Sequence, residues 1–150
     1  MYKNILVPTD GSELSAKAIK HAVQFAKATG ARLTIFHVMR EFHMFVTGGF
    51  TPPAAMLAPM SKQIEEEARA AASRIVETAC SVAAAEGVEC GNELATNDSP
   101  YDAIVEQAAK SGCDLIVMAS HGRRGLQGLL LGSETQKVLT HSDIPVLVVR

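Results

Sequence analysis

Four short runs, KNILV (3–7), RLTIFHV (32–38), DLIVM (114–118) and PVLVV (145–149), are dominated by apolar residues, with Ile5 to Val7, Leu115 to Met118 and Val146 to Val149 unbroken. A strand with one wet face alternates; a strand buried on both faces does not. Helical patterns separate the runs. Ala18, Ile19, Ala22, Val23, Phe25 and Ala26 recur at helical spacing until Gly30, and Ala103, Ile104, Val105, Ala108 and Ala109 do so ahead of Gly112. Doubly buried strands with helices between them call for a parallel sheet covered on both faces by right-handed crossovers. The expected class is α/β, and 150 residues suit a single domain over 1–150.

The remaining elements follow from local signals. Pro8-Thr9-Asp10-Gly11-Ser12 closes the first strand, with Ser12 as cap of the next helix and Ser15 as a later alternative. Residues 61–86 carry an apolar stripe from Ile64 to Ala83, read as a long amphipathic helix with Glu65, Glu66 and Glu67 near its positive end. Residues 88–95 form a more polar strand near a sheet edge. Ser99 and Pro100 start the helix that follows, and Gly132-Ser133 opens another to about His141. Residues 39–60 have a double glycine, three prolines and no sustained period. They are expected to be a long excursion over 40–60, read equally as a mobile lid or as an ordered cover for the sheet.

Charge and cysteine content narrow the function. A net charge of −2 gives no general attraction for nucleic acid, and every apolar stretch is too short to span a bilayer. Cys80, Cys90 and Cys113 are odd in number with no CxxC, which favours reduced, buried thiols and a cytoplasmic location. The five histidines show no metal-binding spacing, so no metal site is expected from the motifs.

The stretch 114–135, DLIVMASHGRRGLQGLLLGSET, is the strongest candidate for a site. It reads as buried strand, glycine-rich loop and helix start. Glycine admits a ligand close to the backbone, and a helix N-terminus offers unsatisfied N–H donors and partial positive charge to a phosphate. A surface loop with turn glycines and solvated arginines is the plain alternative. Neither a P-loop nor a GxGxxG fingerprint is present. Open parallel sheets bind ligands beyond the strands' carboxyl ends, where strand order reverses. That brings residues 8–12 and 119–133 to one crevice if their strands are neighbours. Asp10 then suits a ribose hydroxyl, a magnesium ion held through water, or a helix cap. Ser120 or Ser133 with His121 and Asp10 makes a conceivable nucleophilic set, but no GxSxG elbow surrounds either serine, and no catalytic residue is assigned.

With these residues in view, the sequence resembles the universal stress protein family across essentially its whole length: KNILVPTDGS, the HV closing the second strand, SHGRRGLQGLLLGS and SDIPVLVVR. The resemblance implies an open, three-layer sheet of five parallel strands in the order 3-2-1-4-5. It also implies a binding motif of glycine, two residues, glycine, nine residues, glycine and a hydroxyl. Gly122, Gly132 and Ser133 match; Ala119 stands where the first glycine would, which ordinary strand geometry tolerates and a positive φ would not. By resemblance, the phosphates rest on Gly122, Gly132, Ser133 and the backbone at Glu134 and Thr135. Pro8, Thr9, Asp10 and Val38 hold adenine and ribose, with Met118 and His121 near the crevice floor. Glu134, a carboxylate at the same helix pole, is open to repelling a phosphate, holding a metal or facing solvent.

The expected ligand is ATP or another adenine nucleotide, with or without magnesium, in a stress-response signalling module with little or no turnover. A slow ATP hydrolase and a nucleotide-free dimeric interaction protein are the alternatives. The final strand, Ile144 to Val149, is expected to pair antiparallel with its copy in a homodimer, or else to be shielded by its own chain.

Overall fold

The computed structural model describes residues 1–43, 52–122 and 131–150. Among them, strands β1 (Asn4–Pro8), β2 (Arg32–Met39), β3 (Cys90–Thr96), β4 (Leu115–Ala119) and β5 (Val146–Val149) alternate with helices α1 (Glu13–Thr29), α2 (Ala54–Ala85), α3 (Pro100–Lys110) and α4 (Ser133–His141). The five strands are parallel, in the order β3-β2-β1-β4-β5. The chain builds outward from β1 to β3, then returns to lay β4 on the other side of β1.

Successive side chains of a strand face opposite ways, and here both faces are covered. Ile5, Val7, Leu33, Ile35, Leu115 and Val117 pack with Ala18, Ala22 and Val23 of α1 and Val76, Ala79 and Ala83 of α2. Leu6, Phe36, Ile116 and Met118 pack on the other side with Ala103, Ile104 and Ala108 of α3 and Val138 of α4. The apolar runs Ile5 to Val7, Ile35-Phe36 and Leu115 to Ala119 are thus the imprint of two helical layers. At the edges, β3 and β5 are less buried, and their sequences or exposure patterns show it.

Helix ends largely follow the local chemistry. Ser12 caps α1 by accepting from Ser15 N–H at 3.2 Å, and Gly30 ends that helix in the left-handed region at φ 71°. Ser99 makes no such capping bond; Asn97 Oδ1 accepts the Ser99 N–H instead, at 2.8 Å.

Two expectations need correction. The long helix starts at Ala54, not near residue 61: the Pro53 carbonyl accepts the amides of Met56 and Leu57, and Pro59 lies inside the helix. Its first turns are largely exposed, Met56 by 65%, so no buried stripe announces them. The expected excursion therefore overlaps a helix, and residues 44–51 lie outside the described residues. The second correction concerns the thiols. Cys80, near the end of α2, and Cys90, opening β3, form a disulfide with Cα atoms 5.6 Å apart. Helix packing brings them together across ten positions, a spacing that matches no short cysteine motif. Cys113 alone is free and buried. Burial pushes its thiol up to about 11, against weaker opposing effects of the Thr34 hydroxyl and the Arg32 charge.

At the amino edge of the sheet, Asp114 fastens β1 to the start of β4. Its carboxylate accepts Lys3 N–H at 2.8 Å and Asn4 N–H at 3.0 Å. Burial works against this charge, but the amide donors outweigh it and hold the carboxyl below its usual range. A lowered folded-state pKa stabilises above the unfolded value and loses that contribution as pH falls through the folded one. Asp114→Asn is expected to cost about 1–2 kcal/mol at pH 7. It is also expected to flatten the acid limb of stability below about pH 4. Urea unfolding of both proteins between neutral and acid pH measures both effects.

Candidate functional site

The strand order reverses between β1 and β4, and their carboxyl ends meet the start of α4. Pro8 ends β1, and Thr9 continues its ladder, donating N–H to the Phe36 carbonyl at 2.8 Å. The buried Thr9 hydroxyl shares a 3.0 Å hydrogen bond with Ser15 Oγ and accepts Gly11 N–H at 3.2 Å. Asp10 Oδ1 accepts Ser12 N–H at 3.0 Å, an Asx-type turn that tightens the entry to α1. His37, unassigned by the sequence motifs, places Nδ1 2.7 Å from the Thr9 carbonyl oxygen. The HV pair closing the second strand was the available signal; the partner was not legible.

Across the crevice, the β4 loop comes onto the β1 loop. A β-carbon at Gly122 would lie 2.7 Å from Asp10 Oδ2, so glycine is what lets the carboxylate approach. Gly132 donates N–H to the Ser120 carbonyl at 2.7 Å, and a β-carbon there would lie 3.2 Å from that oxygen and 3.3 Å from His121 Cα. The first turn of α4 is therefore seated directly on the chain leaving β4. Thr135, buried in that turn, donates its hydroxyl to the Ala119 carbonyl at 3.0 Å. Helix geometry leaves the first amides of α4, from Ser133 through Thr135, without intrahelical acceptors. The chain from Ser120 to Gly122 thus touches both the start of α4, at Gly132, and Asp10, at Gly122.

Ala119 has ordinary strand geometry: it pairs with Val149, and no non-glycine residue among those described has positive φ. The departure from glycine thus introduces no backbone strain. Met118 is buried, and Val38 packs against the same core, on the face covered by α3 and α4. His121 shares a 3.0 Å hydrogen bond between Nδ1 and the Ser120 hydroxyl; its Nε2 is buried without a hydrogen-bond partner among the described residues. Ser120 itself is 2% exposed, which withdraws its hydroxyl from solvent and weakens its claim to be a nucleophile.

Glu134 is turned away from these amides. One carboxylate oxygen accepts Tyr101 N–H at 2.9 Å and the other accepts from Lys137 Nζ at 3.1 Å. It caps α3 from a different helix, in place of the expected Ser99. Arg123 and Arg124, which the sequence offers as cationic contacts in the same glycine-rich loop, lie outside the described residues.

Two other features stand outside the residues expected at the site. Glu41, His43 and Asp98 form an exposed group whose donor atoms lie within 4.8 Å of one another, a juxtaposition that spacing did not reveal. His43 Nε2 is 2.6 Å from Asp98 Oδ2; this hydrogen bond raises the His43 pKa and lowers that of Asp98. Hollows of about 380 and 350 Å³ lie at the opposite, amino edge of the sheet, one beside Lys3, Gly30 and Gly87, the other beside Arg32 and Cys90. No helix among the described residues is long and apolar enough to cross a membrane.

A doubly covered parallel sheet with loops converging at its reversal point belongs to the α/β proteins that take ligands at the carboxyl edge. Comparison with known proteins narrows this further. The model of the universal stress protein family matches residues 1–150. Universal stress protein YxiE of Bacillus subtilis is 37% identical over 150 residues, covering all of both chains. Universal stress protein MJ0577 of Methanocaldococcus jannaschii is 31% identical over 156 residues, covering all of this chain and 96% of that one. Its solved structure superposes with a TM-score of 0.82 at 30% identity, covering 99% and 96% of the two chains. A universal stress protein solved in complex with cAMP superposes at 0.66 with 29% identity, covering 99% and 97%. The chain belongs to the universal stress protein family.

The seating of α4 yields a direct expectation. Thr135→Val removes the donor to the buried Ala119 carbonyl while keeping the side chain's shape, and is expected to destabilise by about 1–2 kcal/mol. Chemical denaturation reads the loss, and amide exchange in the first turn of α4 locates it.

Proposed function

We propose that this protein binds an adenine nucleotide, foremost ATP, with or without magnesium, in the crevice between the β1 and β4 loops. In this reading it is a stress-response signalling module that turns nucleotide over little or not at all. The observation that carries the proposal is the meeting of Gly122 with Asp10 at the edge where α4 begins. In this reading the Asp10 carboxylate suits ribose hydroxyls or hydrated magnesium, and the first amides of α4 suit phosphate. Pro8, Thr9, Asp10 and Val38 serve the nucleoside end; Ala119, Gly122, Gly132, Ser133 and the backbone of Glu134 and Thr135 serve the phosphates. Met118 and His121 complete the floor. The relative solved with cAMP supports the adenine class. The engagement of Glu134 with Tyr101 and Lys137 lessens its repulsion of an anion at this helix end and so supports the reading.

The proposal is tested by calorimetric titration of nucleotide-stripped protein with ATP and magnesium, beside cAMP. Gly132→Val should abolish binding, but it also presses on the backbone of Ser120 and His121. Ser133→Asp separates the two effects: a carboxylate at the start of a helix favours the fold yet repels a phosphate. We expect saturable ATP binding that weakens at least tenfold in Ser133→Asp with thermal stability retained. Equal affinity in the two proteins would remove the phosphate from α4, and no heat or thermal shift with the parent would reject the site.

The exposed edge strand supports a homodimer built from Ile144 to Val149. β5 ends the sheet, and Leu147 on it is 42% exposed. Antiparallel pairing with a second copy would occupy its outward backbone groups and cover Leu147. Leu147→Lys is expected to shift sedimentation from dimer to monomer; a parent protein that already sediments as a monomer contradicts this pairing.

A further inference from the structure

The cystine lies at the edge of the sheet remote from the crevice, and it has access and space. Cys80 and Cys90 are both partly exposed, and both sulfur atoms lie near the Gly91 carbonyl oxygen, at 3.4 and 3.5 Å, so freed thiols have an acceptor at hand. The hollow of about 350 Å³ beside them is lined by Arg32, Glu89, Cys90, Asn92, Glu93 and Ser111. A cation and two carboxylates around a cysteine match a small thiol that carries both an ammonium and a carboxylate. Cys113 provides the contrast: it is buried, and its thiol is held protonated at neutral pH, whereas exchange runs through thiolates.

We propose that Cys80–Cys90 is a thiol–disulfide exchange site that takes small zwitterionic thiols, of the cysteine or glutathione kind, through the hollow beside Cys90. The attacking thiolate forms a bond to Cys90 Sγ as the Cys80–Cys90 bond breaks. The electron pair leaves on Cys80 Sγ, which takes a proton from water. A second thiolate attacks the small-molecule sulfur of this mixed disulfide, releasing Cys90 as thiolate and the two small thiols as their disulfide. Two electrons pass from two thiols to the cystine, and the reverse sequence, driven by the small disulfide, restores it. Exposed protein disulfides are the exchangeable ones. The bond joins the end of α2 to edge strand β3 across ten positions, so its opening loosens a helix–strand connection. Reduction is expected to lower Tm by roughly 5–10 °C.

The test equilibrates the native protein with glutathione buffers of varied reduced-to-oxidised ratio, quenches with an alkylating reagent and reads intact mass. Expected is reversible passage between the disulfide and a doubly alkylated form, with Cys113 unmodified until denaturant is added. Cys80→Ser should trap one glutathione on Cys90. Arg32→Ala should slow that trapping in the Cys80→Ser background roughly two- to fivefold, while leaving the rate with neutral 2-mercaptoethanol disulfide unchanged. A cystine that resists excess thiol until the chain unfolds would overturn the proposal. So would cysteines that stay reduced in excess oxidised glutathione, and equal trapping rates with and without Arg32 would remove the hollow from it.

Discussion

β1 and β4 lie side by side at the centre of the sheet, yet each must send the chain to a different face. β1 feeds α1, packed on the face of Ile5 and Val117, whereas β4 leads to α4, packed on the face of Leu6 and Met118. Their register pairs Ile5 with Leu115 and Leu6 with Ile116, near the amino edge, where Asp114 also bonds the amides of Lys3 and Asn4. The two strands are therefore joined firmly at one end and sent apart at the other. A crevice at the carboxyl edge is the geometric result of that divergence, before any side chain in it is specified. What the sequence adds is the chemistry of its two walls: an Asx turn with a carboxylate on one side, and a glycine-bounded helix start on the other.

Glu134 shows how a charge that looks misplaced in the sequence becomes compatible with an anion site. In the first turn of α4 it stabilises the helix through the macrodipole, as a phosphate would. Its carboxylate, however, reaches the amino end of α3, where Tyr101 N–H is a first-turn amide without an intrahelical acceptor, and Lys137 pairs with the other oxygen. Tyr101 in turn packs against His141, with ring centres 5.0 Å apart, and lies under the Lys137 ammonium. The start of α4 is thereby braced against α3 rather than left to be positioned by a ligand.

The parts of the fold legible in the sequence were those where burial imposes a pattern. β1, β2 and β4 announced themselves because both faces are covered, and α1 because Ala18, Ala22 and Ala26 all meet the sheet. The first turns of α2 did not, because Met56 and Met60 meet solvent and prolines obscure the period. The cystine was missed for a related reason: Cys80 and Cys90 meet through the packing of α2 on β3, and a spacing of ten carries no local signal. At the candidate site, Asp10, Gly122 and Gly132 could be named from motif and topology, and Thr135 from the family resemblance. The contacts of His37 with Thr9 and of Glu134 with Tyr101 join residues 28 and 33 positions apart, and only the folded chain brings them together.

The two glycines that face this edge are constrained by different things. At Gly132 the neighbours are backbone, the Ser120 carbonyl and His121 Cα, which cannot move without unseating α4 from β4. At Gly122 the neighbour is the end of the Asp10 side chain, which can rotate about its χ angles. Gly132 therefore fixes the amides of α4 as a rigid, preformed wall, and Thr135 reinforces it from below through the Ala119 carbonyl. Gly122 and Asp10 form the other wall, where the contact is with a side-chain end whose Oδ1 is held by Ser12 N–H. Under the proposed nucleotide reading, the backbone wall would keep the phosphate end of the ligand in register while a side-chain carboxylate meets its other end.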